Sequence, residues 1–320
     1  MHLPDGFVDG KTALTAAALS AAGVGLALRQ VRRELPPRRI PLLGLAAAFL
    51  FAAQMVNFPV AGGTSGHLMG GPLVAALLGP AAAVVVMTTV LIVQCFLFAD
   101  GGVTALGANV FNMALVDSLA GYAVYWRVCR WLPGARGRVT AVAFAGWCAV
   151  VSASIVCAGQ LAWSGTVAWA VGFPAMTGVH MLIGVGEALI SALVLLAIQR
   201  TRPEMIRGET SLQPQPSVQS VGLGLLVVLG VALFVAPFAC PWPDGLEHVA
   251  ARLGFGNRAA PALWTAPAPE YQMPGIPWAV GATAIAGAVG ALVVFGLAFL
   301  LGRVLVPGGS PGSEEQPKPS

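Results

Sequence analysis

Leu68-Met69-Gly70-Gly71-Pro72-Leu73-Val74-Ala75-Ala76-Leu77-Leu78-Gly79-Pro80-Ala81-Ala82-Ala83 opens an apolar stretch that runs on to Phe98. Read as one long helix, it carries the chain across a bilayer once. Read as two helices with a corner at Gly79-Pro80, it enters and returns to the side it came from. Residues 72–78 are too few to cross alone, whereas 81–98 approach the ~20 apolar residues that a span requires. The basic loops decide between the two. Arg29, Arg32, Arg33, Arg38 and Arg39 form the first, Arg127, Arg130, Arg136 and Arg138 the second, and Arg200, Arg202 and Arg207 the third. Basic residues collect on the cytoplasmic side. All three loops share that side only if residues 68–98 turn back, so the corner is the expected reading.

The stretches on either side are apolar as well. Charged residues make up 9% of the chain and apolar ones 57%, with a mean hydropathy of +0.80. So few charges cannot cover a soluble protein of 320 residues. The expected fold is an all-α polytopic membrane bundle, with spans at 12–28, 40–56, 81–98, 106–126, 140–163, 176–198, 221–238 and 278–301. With the half-helix at 72–78 these make about seven helical segments in a core plus two in a C-terminal unit. The expected divisions are 1–201, a cytoplasmic linker at 202–220, a unit at 221–303 and a structureless tail at 304–320. Trp126, Trp131, Trp163, Trp169, Trp242 and Trp278 flank the spans as interface anchors do. The net charge of +4 sets orientation and points to no nucleic-acid partner. Five scattered cysteines form no C-x-x-C pair and read as packing residues. With the first basic loop inside, the N-terminus is expected outside, and no basic n-region of a secretory signal precedes the first apolar run.

The outside segments hold the chemistry. In Met1-His2-Leu3-Pro4-Asp5-Gly6, the terminal amine, the His2 amide nitrogen and His2 Nδ1 can close two chelate rings on one ion. A bulky second residue favours retention of Met1. Three planar nitrogens suit Ni(II), Cu(II) or low-spin Co(II) better than zinc or magnesium. Alone, a histidine at position 2 is a common accident. The same topology, however, brings His67 of Gly62-Gly63-Thr64-Ser65-Gly66-His67 to that face, where it can supply a fourth nitrogen or remain a polar loop residue. At the start of the half-helix its imidazole is favoured neutral.

Other polar residues lie in apolar surroundings, where they need partners. Asn109 and Asn112 share a helix face. His180 and Glu187 fall on one stripe, serving either transport or helix bracing. Asp117 and Gln94 have no evident partner, and His248 reads as a loop residue. Gly6-Phe7-Val8-Asp9-Gly10-Lys11-Thr12 is one residue short of a phosphate-binding loop and lacks the preceding strand, so the chain carries no ATPase machinery of its own.

Met1-His2-Leu3-Pro4-Asp5-Gly6-Phe7, Asn57-Phe58-Pro59-Val60, Gly63-Thr64-Ser65-Gly66-His67-Leu68, Asp100-Gly101-Gly102, Ala105-Leu106-Gly107-Ala108-Asn109 and His180 through Glu187 occur in this order. Together they resemble the CbiM/NikM family, the metal-binding membrane subunits (S components) of energy-coupling-factor transporters for cobalt and nickel. The resemblance covers residues 1–200, and Pro243-Asp244-Gly245-Leu246-Glu247 looks like the PDGLE unit often fused to nickel-type members. It implies a square-planar site of Met1, His2 and His67, with Asn57, Thr64, Ser65, Asn109 and Asn112 as braces. It further implies Ni(II) or Co(II) as cargo, a plasma-membrane location, and import driven by a coupling transmembrane subunit and two ATP-binding-cassette ATPases. Ala17, Ala18, Ala21 and Ala22 offer that subunit a close-packing face. Nickel is favoured over cobalt for corrinoid synthesis by the PDGLE-like unit. A passive channel or a membrane metalloenzyme is disfavoured by four tight ligands and the lack of a poised base.

Overall fold

The computed structural model describes residues 1–206 and 218–306. Most of the linker expected at 202–220, including Arg207, and of the tail expected at 304–320 lies outside the described residues. Helix α1 (Gly10–Glu34) starts at Asp9, whose carboxylate accepts from Thr12 N–H at 3.0 Å. It ends over Arg32 and Arg33, cations at the negative pole of the helix dipole. Helix α2 (Ile40–Gln54) runs back. At 15 residues it spans about 22 Å, and a 3-10 turn before it and a hairpin after it extend the path. The hairpin, absent from the sequence reading, pairs β1 (Phe58–Val60) antiparallel to β2 (Thr64–Gly66), with Phe58 opposite Gly66.

The corner forms as expected. Helix α3 (Gly71–Leu78) ends at Gly79, whose φ of +98° suits glycine alone, and Pro80 opens α4 (Pro80–Phe98) with its fixed φ. Gly79 and Pro80 share a cavity wall with Arg38 and Arg39, and Arg39 Nη1 donates to Leu77 O at 3.0 Å. His67, before α3, and Asp100, after α4, both meet the N-terminal segment. The chain therefore enters and returns.

The expected span at 106–126 is a helix that changes pitch. α5 (Leu106–Asn109) passes into a π-helical stretch, Val110–Val116, then α6 (Asp117–Trp131). Nothing in the sequence signals this bulge, which turns Asn112 toward the interior. Helices α7 (Gly134–Trp163) and α8 (Trp169–Thr201) pack on each other through a short connection. The C-terminal third contributes α9 (Val218–Phe234), α10 (Gly245–Leu253) and α11 (Ala279–Leu305); α10 was not expected. Read from sequence as a unit of its own, this third lays α11 along α2, where Gly290 meets Phe51 and Gly44 meets Phe295.

Among the described residues, six helices are long and apolar enough to cross a membrane: Gly10–Glu34, Pro80–Phe98, Gly134–Trp163, Trp169–Thr201, Gln219–Phe238 and Ala279–Leu305. Helix α4 is the most enclosed and α1 among the most open, with 72% and 22% of their spans buried, so α4 forms the axis of the bundle. Leu14, Leu26, Leu189, Leu226 and Leu300 point outward, as lipid-facing residues do. The six flanking tryptophans are all exposed.

Candidate metal centre

The first eight residues are threaded into the bundle by a series of polar grips. Leu3 is fully buried; its N–H donates to Asn109 Oδ1 at 2.7 Å, and its carbonyl accepts from Asn109 Nδ2 at 3.1 Å and Gly102 N–H at 2.8 Å. One side-chain amide thus pairs with both main-chain groups of a residue that no strand accompanies. A Cβ at Gly102 would collide with the Asp5 main chain, so this close approach requires glycine. The Asp5 carboxylate accepts from Thr104 N–H at 2.7 Å, and its carbonyl accepts from Ala260 N–H at 2.8 Å. Thr166 Oγ1 donates to Phe7 O at 2.6 Å. The terminal amine is therefore held at one point.

That point lies beside His67. The Met1 amine is 3.0 Å from His67 Nε2 and 2.8 Å from Asp244 Oδ2. His67 Nδ1 is 3.3 Å from Leu68 O. A carbonyl only accepts, so Nδ1 carries the hydrogen and the Nε2 lone pair faces the amine. Burial first, and then the positive amine, hold the His67 pKa well below that of an ordinary histidine. The His2 ring lies 5.5 Å from the His67 ring, centroid to centroid. Its Nδ1 is 3.2 Å from Asp100 Oδ1 and its Nε2 3.1 Å from Gln94 Oε1. Burial lowers the His2 pKa too, against the opposing charge of Asp100. Burial opposes ionisation of Asp244, but the amine beside it prevails and holds its pKa below the usual carboxylate range.

The expected braces divide. Asn109 grips Leu3. Asn57 acts through its main chain, its carbonyl accepting from Cys240 N–H at 2.9 Å. Thr64 Oγ1 donates to Pro243 O at 3.1 Å and Ser65 Oγ to Trp242 O at 2.7 Å, so these two tie the His67 loop to the C-terminal segment. Asn112 exchanges two hydrogen bonds with Gln160, at 2.8 and 3.0 Å, and joins the π stretch to α7. His180 bonds Met176 O within its own helix, at 2.8 Å. Glu187 accepts from Met69 N–H at 2.7 Å and Gly70 N–H at 2.9 Å, and Asp117 from Gly71 N–H at 2.9 Å. Those carboxylates take up the amides that the start of α3 leaves over. Glu187 thereby ties α8 to the start of α3, while the His180 bond stays inside α8. His248 lines a groove between α8 and α10.

Three contacts were missed in the sequence. Asp244 belongs to the Pro243-Asp244-Gly245 turn, which reads as the helix cap it also is: its Oδ1 accepts from Glu247 N–H at 2.8 Å. Gln94 sits near the end of α4 and Asp100 just after it, where only the fold reveals that they face His2. Among the described residues no three His, Cys, Asp or Glu side chains converge as metal ligands.

The family model for the cobalt uptake substrate-specific transmembrane region (CbiM) matches residues 2–205, and the PDGLE domain model matches 219–306. The chain is 37% identical to the NikMN of Archaeoglobus fulgidus, over 95% of this chain and 98% of that one. It is 31% identical to the fused nickel transport protein NikMN of Rhodobacter capsulatus, over 85% and 88%. With the cobalt transport protein CbiM of Streptomyces coelicolor it shares 33% identity over 65% and 92%. The crystal structure of a truncated transition metal transporter superposes with a TM-score of 0.57 at 30% identity, covering 62% of this chain and 99% of that one. The chain belongs to the CbiM/NikM family, and it carries a PDGLE domain at its C-terminal end.

Proposed function

We propose that this protein is the substrate-binding membrane subunit of an energy-coupling-factor importer, capturing Ni(II) or Co(II) at its extracytoplasmic face. The ion is held by the Met1 amine, the His2 amide nitrogen, His2 Nδ1 and His67 Nε2. The observation that carries the reading is the 3.0 Å separation of the Met1 amine from His67 Nε2, across 66 residues of chain. Metal–nitrogen bonds of about 2 Å put adjacent corners of a square about 2.8 Å apart, so the two nitrogens are spaced as neighbouring ligands.

Fusion to the PDGLE domain, shared with relatives named for nickel, favours nickel as the cargo. Cobalt remains the second reading because the CbiM relative of similar identity is named for it. Import in this scheme requires partners: a coupling transmembrane subunit, for which the exposed face of α1 is suited, and two ATP-binding-cassette ATPases. The subunit itself performs no chemistry on the ion.

Metal content of the purified chain, followed by titration of variants, tests the reading. His2→Ala and His67→Ala are expected to abolish tight binding, and His248→Ala to leave it nearly intact. Unchanged affinity in His67→Ala would remove the four-nitrogen site.

A further inference from the structure

Two side-chain amides, Gln94 and Gln54, and the Met69 carbonyl stand in line behind His2. Gln54 Nε2 lies 3.3 Å from Met69 O and 3.3 Å from Met87 Sδ. Both partners only accept, so this end of the Gln54 amide must be its NH2 group. Gln54 Oε1 is thereby turned to Gln94, which must answer with its own NH2, at 2.9 Å. Gln94 Oε1 is then left facing His2 Nε2 at 3.1 Å. Each orientation forces the next, and the last partner can only accept.

We propose that the Met69 carbonyl–Gln54–Gln94 relay fixes the His2 tautomer with hydrogen on Nε2, making Gln94 and Gln54 positioning residues that leave Nδ1 as the nitrogen offered to the ion. This deepens the metal-site reading and rests on it for the identity of the ligand atom.

Asp100 competes for the same hydrogen, since its carboxylate lies 3.2 Å from Nδ1. The competition is settled by what each side loses. With hydrogen on Nδ1, the Nε2 lone pair meets Gln94 Oε1, and Gln94 is fully buried. Relief would require both amides to turn, setting Gln54 Oε1 against Met69 O and Met87 Sδ. A buried acceptor left without a donor costs about 1–3 kcal/mol. With hydrogen on Nε2, Nδ1 faces an Asp100 side chain that is 27% exposed and already accepts from Tyr271 O–H at 2.6 Å. Water relieves that side. An arriving cation relieves it better, by taking up the Nδ1 lone pair.

The test reads the tautomer before any metal is added. Long-range 15N–1H correlation spectra of histidine-labelled, metal-free full-length protein are recorded, with the His2 signal assigned by its loss in His2→Ala. Wild type is expected to show the Nε2–H form at neutral pH. Gln94→Leu should shift His2 toward Nδ1–H and lower metal affinity about 10- to 100-fold, the range for losing the second partner of a ligand histidine. Gln94→Glu, whose carboxylate presents an acceptor to Nε2 as Gln94 Oε1 does, should keep Nε2–H. Gln54→Leu, which touches His2 only through Gln94, should loosen the preference in the same direction, and it carries the test if Gln94→Leu fails to fold. An Nδ1–H signal in wild type, or a tautomer indifferent to both leucine variants, overturns the proposal. Affinity that survives His2→Ala while the tautomer behaves as expected would refute the metal-site reading and leave the relay standing.

Discussion

Removing the Asn109 side chain separates the seating of the N-terminal segment from the stability of the bundle. In Asn109→Ala the Leu3 carbonyl keeps the Gly102 N–H at 2.8 Å, but the Leu3 N–H loses its partner, Asn109 Oδ1, at 2.7 Å. Leu3 is fully buried, so no water replaces it. An orphaned buried N–H costs about 1–3 kcal/mol. The segment can avoid that cost by leaving its slot, which displaces the amine from His67. If capture requires a seated segment, the cost appears in affinity, as a roughly 5- to 140-fold loss at 1.4 kcal/mol per tenfold. Asn112→Ala is the matched control. It also removes two hydrogen bonds of one buried asparagine, those shared with Gln160 at 2.8 and 3.0 Å, but they join helices and do not touch the N-terminus. Calorimetric nickel titration and thermal unfolding of both purified variants give the answer. Both should melt earlier, and Asn109→Ala alone should bind weakly. Equal affinity loss in the two would refute the clamp.

Three further outcomes are expected. Asp244→Asn removes the carboxylate 2.8 Å from the amine, so the metal-free protein should lose about 1–3 kcal/mol of stability. The metal-loaded protein should lose less, because the ion then engages the amine; equal shifts in melts with and without nickel would contradict this. Glu187→Gln leaves only one oxygen for the two amides of Met69 and Gly70, and thermal unfolding should show a loss of about 1–3 kcal/mol. In a cysteine-free background, a cysteine replacing exposed Ala61 should react with an impermeant thiol reagent from outside intact cells, and one replacing exposed Ala135 should not; the reverse pattern would invert the orientation.

Legibility followed the physics of each feature. Gly79-Pro80 could be read because a corner between apolar helices needs residues of that kind, and because three basic loops left one topology. The approach of His67 to Met1 followed from that topology. Glu187 could not be resolved from spacing: a carboxylate on a helix stripe looks the same whether it meets a cation or the amides of another helix, and here it meets Met69 and Gly70. The π stretch at Val110–Val116 has no composition of its own. Asp244 was hidden because Pro-Asp-Gly is also an ordinary helix start, and its second oxygen finds the Met1 amine only when the C-terminal third folds over the His67 loop. Gln94 and Asp100 acquire meaning through neighbours far away in sequence, which periodicity does not report.

The central claim is that the chain's own first nitrogen is a ligand, and a one-residue extension tests it. Met1 is only 4% exposed, and its amine is held by His67 and Asp244 at 3.0 and 2.8 Å. An alanine added before Met1, with intact mass confirming that it stays, turns that amine into a peptide nitrogen and must place an extra residue in a filled slot. Nickel content and nickel affinity are measured for this protein beside an unextended form carrying the same C-terminal tag. The unextended protein should carry stoichiometric metal, and the extended one should lose tight binding. Full stoichiometry and unchanged affinity in the extended protein would contradict it.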